Sequence, residues 1–322
     1  MALSTSLHIV SGKGGTGKTT VAAALATALA DAGKRVLLCE VEGRQGIAQL
    51  FDVPPLPYEE RKIAVGLGGG EVCALAIDAE SALLEYLQMY YRLGRAGKAL
   101  DRFGIIDFAT TIAPGVRDVL LTGKVYEAAK RKKGDRFVYD AVVLDAPPTG
   151  RIVRFLGVNE EVAGLAKVGP VKRQADSIMS MMRSRNTRVH VVTLLEEMPV
   201  QETLDGIAEL KKASLPVGAV IANLVRPALL SDNTQKALAS GTLDSTAVTQ
   251  ALDVIGLDGE AAPSLITEGF GHIERQTLQA DQREELGDRD VVELPALADA
   301  IDQGALFELA SILRATLLKE DS

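Results

Sequence analysis

The chain has no tryptophan, and aromatic residues fill only 4% of its 322 positions. Proteins that hold single-stranded nucleic acid stack bases on aromatic platforms, so this scarcity counts against that class. An excess of basic residues is also missing. The net charge is −8 at pH 7, and generic binding to nucleic acid or to an anionic membrane needs a basic face. Cysteine is reduced to Cys39 and Cys73, far apart and each inside an apolar run. No C-x-x-C pair offers a zinc clip or a redox dithiol, and both thiols are predicted to be buried small hydrophobes. The three histidines, His8, His190 and His272, stand isolated, which gives little support to a histidine metal site or a catalytic triad. His8 and His190 fall in apolar strand patterns and are expected to be packed or edge residues. No apolar stretch approaches the ~20 residues that span a bilayer. Residues 1–6 lack the regions of a signal peptide. A cytoplasmic location without stable membrane insertion is the expectation.

What is present is an ordinary globular composition, 47% hydrophobic and 24% charged, enough for a sizeable core. Short apolar runs alternate with helical patterns. This predicts an α/β fold: a mostly parallel sheet, helices on both faces, and a helical subdomain. Strands are predicted at Leu7–Val10, Arg35–Glu40, Glu71–Ile77, Ala141–Asp145, Val189–Leu195, Val217–Asn223 and Val291–Leu294. The whole chain, 1–322, is read as one domain with helical insertions at about 79–133 and 158–188. The first carries the stripe Leu83, Leu84, Leu87, Tyr90 and Tyr91. The second ends in a methionine-rich run, Ile178–Met182, expected to pack against the sheet or its neighbours. The basic run Lys130–Lys133 reads as a solvated helix end. Residues 227–263 read as weakly specified helices and loops.

Residues Gly12 to Thr20 spell G-K-G-G-T-G-K-T-T directly after the first apolar run. This contains the phosphate-cradling pattern G-x-x-x-x-G-K-[ST], placed between a strand and an Ala-rich helix. Gly12, Gly14, Gly15 and Gly17, with Thr16 between them, let backbone N–H groups face a polyphosphate without a Cβ in the way. The helix beginning at Thr19 and Thr20 aims its positive end at the same anion. Lys18 is predicted to reach the β- and γ-phosphates of ATP, and the Thr19 hydroxyl to ligate Mg²⁺. A second apolar run ends on Asp145, where a carboxylate can support the Mg²⁺ shell. The turn Ala146-Pro147-Pro148-Thr149-Gly150 follows and is read as a stiff segment with a pivot glycine.

The extra lysine of the loop, Lys13, and the run D-x-x-P-T-G-x-x-x-R-x-L from Asp145 resemble one ATPase family. It holds the arsenite-pump ATPase and the tail-anchored-protein targeting factor, within the deviant Walker A class. Pro114–Asp118 and Glu196–Thr203 are similar to two further family segments. The resemblance implies that ATP is sandwiched between two P-loops, with Lys13 reaching the partner's phosphates. One P-loop per chain then implies a homodimer or a heterodimer with a paralogous ATPase. It also implies that Asn223 reads adenine and that Pro295 belongs to a loop packing on the base.

The first switch segment departs from the family pattern D-P-A-H-N-L-S-D and reads E-G-R-Q-G-I-A-Q from Glu42. Gln49 replaces the water-orienting Asp, and glutamine cannot take a proton at neutral pH. Either Glu42 activates water with Gln49 positioning it, or the chain hydrolyses ATP slowly and serves as a nucleotide-gated partner. Arg151 replaces the family's His; it answers phosphate or a partner carboxylate, or it is a surface ion-pair residue. The leading expectation is a Mg-dependent ATPase whose nucleotide state opens and closes a dimer and so controls a helical surface for a protein client, at about 86–123 and 158–182. The alternative is an ATP-binding regulatory subunit with weak hydrolysis, paired with a paralogous ATPase.

Overall fold

The computed structural model describes residues 6–91, 114–165, 170–298 and 300–317. Its centre is an eight-stranded sheet of order β10-β9-β8-β1-β7-β2-β4-β3. The strands are β1 (Ser6–Gly12), β2 (Arg35–Glu40), β3 (Arg61–Val65), β4 (Glu71–Ala76), β7 (Ala141–Asp145), β8 (Thr187–Thr193), β9 (Val217–Val225) and β10 (Val291–Pro295). All neighbours run parallel except β3, which is antiparallel to β4. β5 (Lys132–Lys133) and β6 (Arg136–Phe137) form a separate small hairpin.

Alternation along each strand divides the core into two layers. Leu37 and Cys39 face one side with Leu7, Ile9, Val142 and Leu144. Val36 and Leu38 face the other with Val10 and Val143. The first side is covered by α4 (Pro114–Lys130), α5 (Thr149–Leu165), α6 (Pro170–Met182) and α7 (Glu197–Lys212), which contribute Val125, Phe155, Met182 and Ile207 to that layer. The second side is covered by α1 (Lys18–Asp31) and α11 (Gln303–Leu317). Helix α1 is apolar nearly all round because it lies between the sheet and α11. Its alanines allow close approach. Leu25 and Leu29 are fully buried, each contributing on the order of 2 kcal/mol of apolar transfer. The remaining helices are α2 (Gly46–Leu50), α3 (Ala79–Tyr91), α8 (Asp232–Ala239), α9 (Ser245–Val254) and α10 (Ala262–Glu285).

Strand β3 and the β5–β6 hairpin have no counterpart in the predicted elements. β3 is an edge strand whose side chains are exposed or half-exposed, so no apolar rhythm announces it. In the basic run, Lys130 closes α4, and Lys132 and Lys133 are exposed. Arg131 is instead half-buried and paired with Glu60 and Glu127. The methionine-rich run packs inward, with Ile178, Met179, Met181 and Met182 all buried. Residues 227–263 form helices and loops as expected, and Ser231 and Asp244 cap α8 and α9 by accepting from the Thr234 and Thr246 N–H groups. Cys39 and Cys73 are buried and unbridged. The side chains of Leu87, Tyr90 and Tyr91, residues 92–113 of the first insertion and residues 318–322 lie outside the described residues.

Candidate nucleotide site

Strand β1 carries the chain into the glycine loop at the carboxyl end of the sheet. A Cβ on Gly12 would run into the Val192 carbonyl of β8, and one on Gly17 into the Asn223 amide. Gly15 and Gly17 have φ of 87° and 84°, in the left-handed region. Above Gly14 and Gly15 an added Cβ would meet open space, so the outer surface of the loop is accessible. The Lys13 carbonyl accepts from Thr16 N–H at 3.4 Å, Thr16 Oγ1 at 2.9 Å and Lys18 Nζ at 3.3 Å. This cluster closes the loop on itself. Helix α1 starts at Lys18 with no side-chain cap and no acid in its first turn, which leaves its N–H groups available to an anion. Thr20 lies half-buried in that turn.

Thr19 Oγ1 donates to Asp145 Oδ2 at 2.6 Å, which joins the start of α1 to the end of β7. Asp145 is 9% exposed. Burial raises its pKa to about 6; the Thr19 bond and Lys18 pull it down, and Glu40 and Glu42 push it further up. Burial also lowers the Lys18 pKa, with Asp145 and Glu42 opposing and Arg44 adding to the shift. Glu42, Lys18 and Asp145 therefore share one electrostatic environment.

The segment after β2 is held by the last residue of that strand. Glu40 is buried, and its carboxylate accepts from Gln45 N–H at 2.6 Å and Ile47 N–H at 3.4 Å. Gln45 has φ of 57°, and its amide both donates to and accepts from the Leu56 backbone, at 3.1 and 2.7 Å. A Cβ on Gly46 would sit 3.0 Å from Thr19 Cγ2, so this segment lies against the phosphate-loop helix. Glu42 is half-buried and 3.5 Å from Arg44. Gln49, on α2, is exposed.

Asn223 Nδ2 donates to the Thr16 carbonyl at 2.9 Å, which ties the end of β9 to the loop. Pro295 ends β10 opposite Val225, and Ala296 N–H donates to the Val225 carbonyl at 2.8 Å. Lys13 Nζ lies 2.7 Å from Glu202 Oε1 on α7, with both side chains more than a third exposed. Ser11 Oγ donates to the Pro147 carbonyl at 2.7 Å. The segment read as a pivoting turn is shorter than expected, because Thr149 and Gly150 already belong to α5; two prolines place a helix start readily. Arg151 lies 3.6 Å from the buried Asp118 of α4, so here it faces a carboxylate of its own chain. Burial raises the Asp118 pKa, and Arg151, Arg117 and Arg154 hold it back. Further along the same helix pair, Asn159 Nδ2 donates to Thr122 Oγ1 at 2.9 Å.

Two of the three histidines expected to stand isolated, His8 and His190, meet across strands. His8 Nδ1 and His190 Nε2 are 3.1 Å apart with the rings stacked, and Ala219 N–H donates to His190 Nδ1 at 3.2 Å. His190 thus carries its proton on Nε2 and donates it to His8. The two lie on adjacent strands, but the spacing in the chain gives no sign of the pairing.

Comparison with known proteins agrees with this geometry. Residues 5–187 match the profile of the anion-transporting ATPase family. The chain is 52% identical over 313 residues to the ATPase BagA of Mycobacterium tuberculosis, covering 95% of this chain and 92% of that protein. It is 27% identical over 256 residues to the putative arsenical pump-driving ATPase 2 of Aquifex aeolicus, covering 70% of this chain and 82% of that protein. A putative arsenical pump-driving ATPase of Chlorobaculum tepidum is 31% identical over 157 residues, 47% of this chain and 35% of its own length. With its glycine loop, its parallel sheet and a relative matched almost end to end, the chain belongs to the anion-transporting ATPase family.

Proposed function

We propose that this chain is a Mg-dependent ATPase, folded as a single ATPase domain, whose nucleotide state opens and closes a dimer. The observation that carries the reading is the 2.6 Å meeting of Thr19 and Asp145 beside Lys18, at the mouth of an open glycine loop. The oxygen donors of Thr19 and Asp145 suit Mg²⁺ and would hold it directly or through water. When bound, that ion neutralises charge on the phosphate oxygens.

The chain's own groups divide the remaining work. Gly12–Thr20 wraps the phosphates with backbone N–H groups, and the Lys18 ammonium faces the β- and γ-oxygens. Asn223 and Pro295 stand at the base end. Glu42, on the Lys18–Asp145 side, orients and activates the attacking water, with Gln49 assisting in its positioning. Lys13 exchanges Glu202 for the phosphates of the facing chain, where it stabilises charge in trans. The facing chain is a second copy or a paralogous ATPase. The response passes through α5 and α4 to a helical surface that a protein client reads. No described helix is long and apolar enough to cross a membrane, which accords with a client-handling protein that is not itself inserted by a helix.

Titration calorimetry with ATP, with and without Mg²⁺, tests the site. Native mass spectrometry in ATP and in ADP tests the dimer. The reading fails if affinity is indifferent to Mg²⁺, or if the chain stays monomeric with every nucleotide, alone and beside its paralogue.

One observation favours a second reading. Gln49 is exposed on α2 and offers no base. The chain would then be an ATP-binding regulatory subunit with weak hydrolysis, paired with a paralogous ATPase. Phosphate release by the purified chain separates the two: tight ATP retention with negligible turnover selects the regulatory role.

A further inference from the structure

Between β9 and β10 the chain builds a separate helical layer, and this layer contains a groove unrelated to the phosphate loop. Its volume is about 650 Å³, within the range of small-molecule sites. Leu230, Leu238, Leu243, Val248 and Ile266 line it, from α8, α9, α10 and the segments joining them. Leu265 and Leu229, at its edge, are 48% and 75% exposed. The groove is a built feature of the layer. The strap 226–229 is pinned to one face of α10 at successive turns: Leu229 N–H donates to His272 Nε2, Gln276 Nε2 donates to the Arg226 carbonyl, and Arg226 N–H donates to Gln279 Oε1. The Leu230 carbonyl accepts from Gln235 of α8, which fixes the far end of the strap.

Charge at the lining is uneven. Arg226 and Arg275 both line the groove and are exposed, and neither lies within ion-pair distance of a carboxylate among the described residues. Glu268 is the one acid in the lining, and His272 Nε2 is taken up by the Leu229 N–H. Two guanidiniums against one carboxylate give a cationic groove in a chain whose net charge is −8. A guanidinium fork matches a carboxylate in shape and charge.

We propose that this groove binds a medium-chain alkyl carboxylate, its tail between the three helices and its head group at Arg226 and Arg275. The full-length chain is titrated with octanoate and, in parallel, with octanol, followed by calorimetry and by methyl NMR of the leucines. Octanoate is expected to bind once per chain and about tenfold more tightly than octanol, the margin of one charge-assisted hydrogen bond. The R226Q/R275Q variant brings octanoate down to the affinity of octanol. Leu265→Trp, at a half-exposed position, fills the groove and weakens both ligands while ATP binding and the thermal transition stay unchanged. Equal affinity for octanoate and octanol in the unmodified chain, no octanoate binding, or octanoate binding unaffected by R226Q/R275Q overturns the proposal.

Discussion

Replacing His190 with asparagine should flatten the dependence of stability on acid. His190 is buried and holds its pKa at about 3, against an ordinary 6.5, because burial disfavours its charged form and His8 and Arg188 add to the shift. Below the ordinary value the unfolded chain takes up a proton that the folded chain refuses, so stability present at neutral pH is lost at about 1.4 kcal/mol per pH unit. Between pH 7 and pH 5 the loss from His190 comes to about 2 kcal/mol. His8, held at about 4, acts in the same direction. His8 as a residue is only half-buried, which lets solvent screen the effect, and its share is about 1 kcal/mol. Asp145 acts in the opposite direction. Its folded pKa is raised to about 6, so the folded chain gains its proton first and recovers about 1.4 kcal/mol by pH 5. Asp145 thus offsets about half of the histidine loss in the unmodified chain, and only the difference between variants isolates the imidazole. His190→Asn can keep an acceptor for Ala219 N–H and removes the titrating ring. Urea unfolding followed by circular dichroism at stepped pH should show the variant losing about 2 kcal/mol less than the parent between pH 7 and pH 5. Parallel pH profiles for the two proteins would refute the buried neutral pair.

Gly17→Ala places a Cβ against the Asn223 amide at a left-handed φ, and calorimetry should show ATP affinity reduced by tenfold or more, equivalent to about 1.4 kcal/mol. Glu42→Ala should abolish phosphate release while ATP still binds; unchanged turnover removes Glu42 from the chemistry. Glu202→Gln breaks a pair whose side chains are 36% and 39% exposed, so unfolding should shift by well under about 1 kcal/mol. Its effect should instead appear as faster ATP-driven association in light scattering, because Lys13 is released. Glu40→Ala leaves Gln45 and Ile47 N–H groups without their acceptor and should cost about 2 kcal/mol in urea unfolding.

The phosphate loop was legible because the chemistry dictates residue type position by position: glycines where a Cβ would collide with Val192 or Asn223, and a hydroxyl where Asp145 ends the neighbouring strand. Strands buried on both faces were legible for a similar reason, as continuous apolar runs. Glu40 escaped notice because a side chain that accepts from backbone N–H groups needs no matching partner residue, so nothing in the sequence signals the bond. β3 was hidden because an edge strand with exposed side chains keeps no rhythm. The ion pair of Lys13 with Glu202 and the contact of His8 with His190 depend on which strands and helices become neighbours. Spacing along the chain carries no trace of that.

The Ser11 hydroxyl grips the Pro147 carbonyl, and the next residue is a second proline with its φ already fixed. Any motion of the segment beyond would therefore turn about Pro148 ψ and the Thr149–Gly150 backbone, at the foot of α5. Asn159 higher on that helix is fastened to Thr122, and Arg151 lower down faces Asp118, so α4 is coupled at two heights. A small displacement at the phosphate end would tilt both helices together, as a lever with two rungs, and the far end would travel further than the near one.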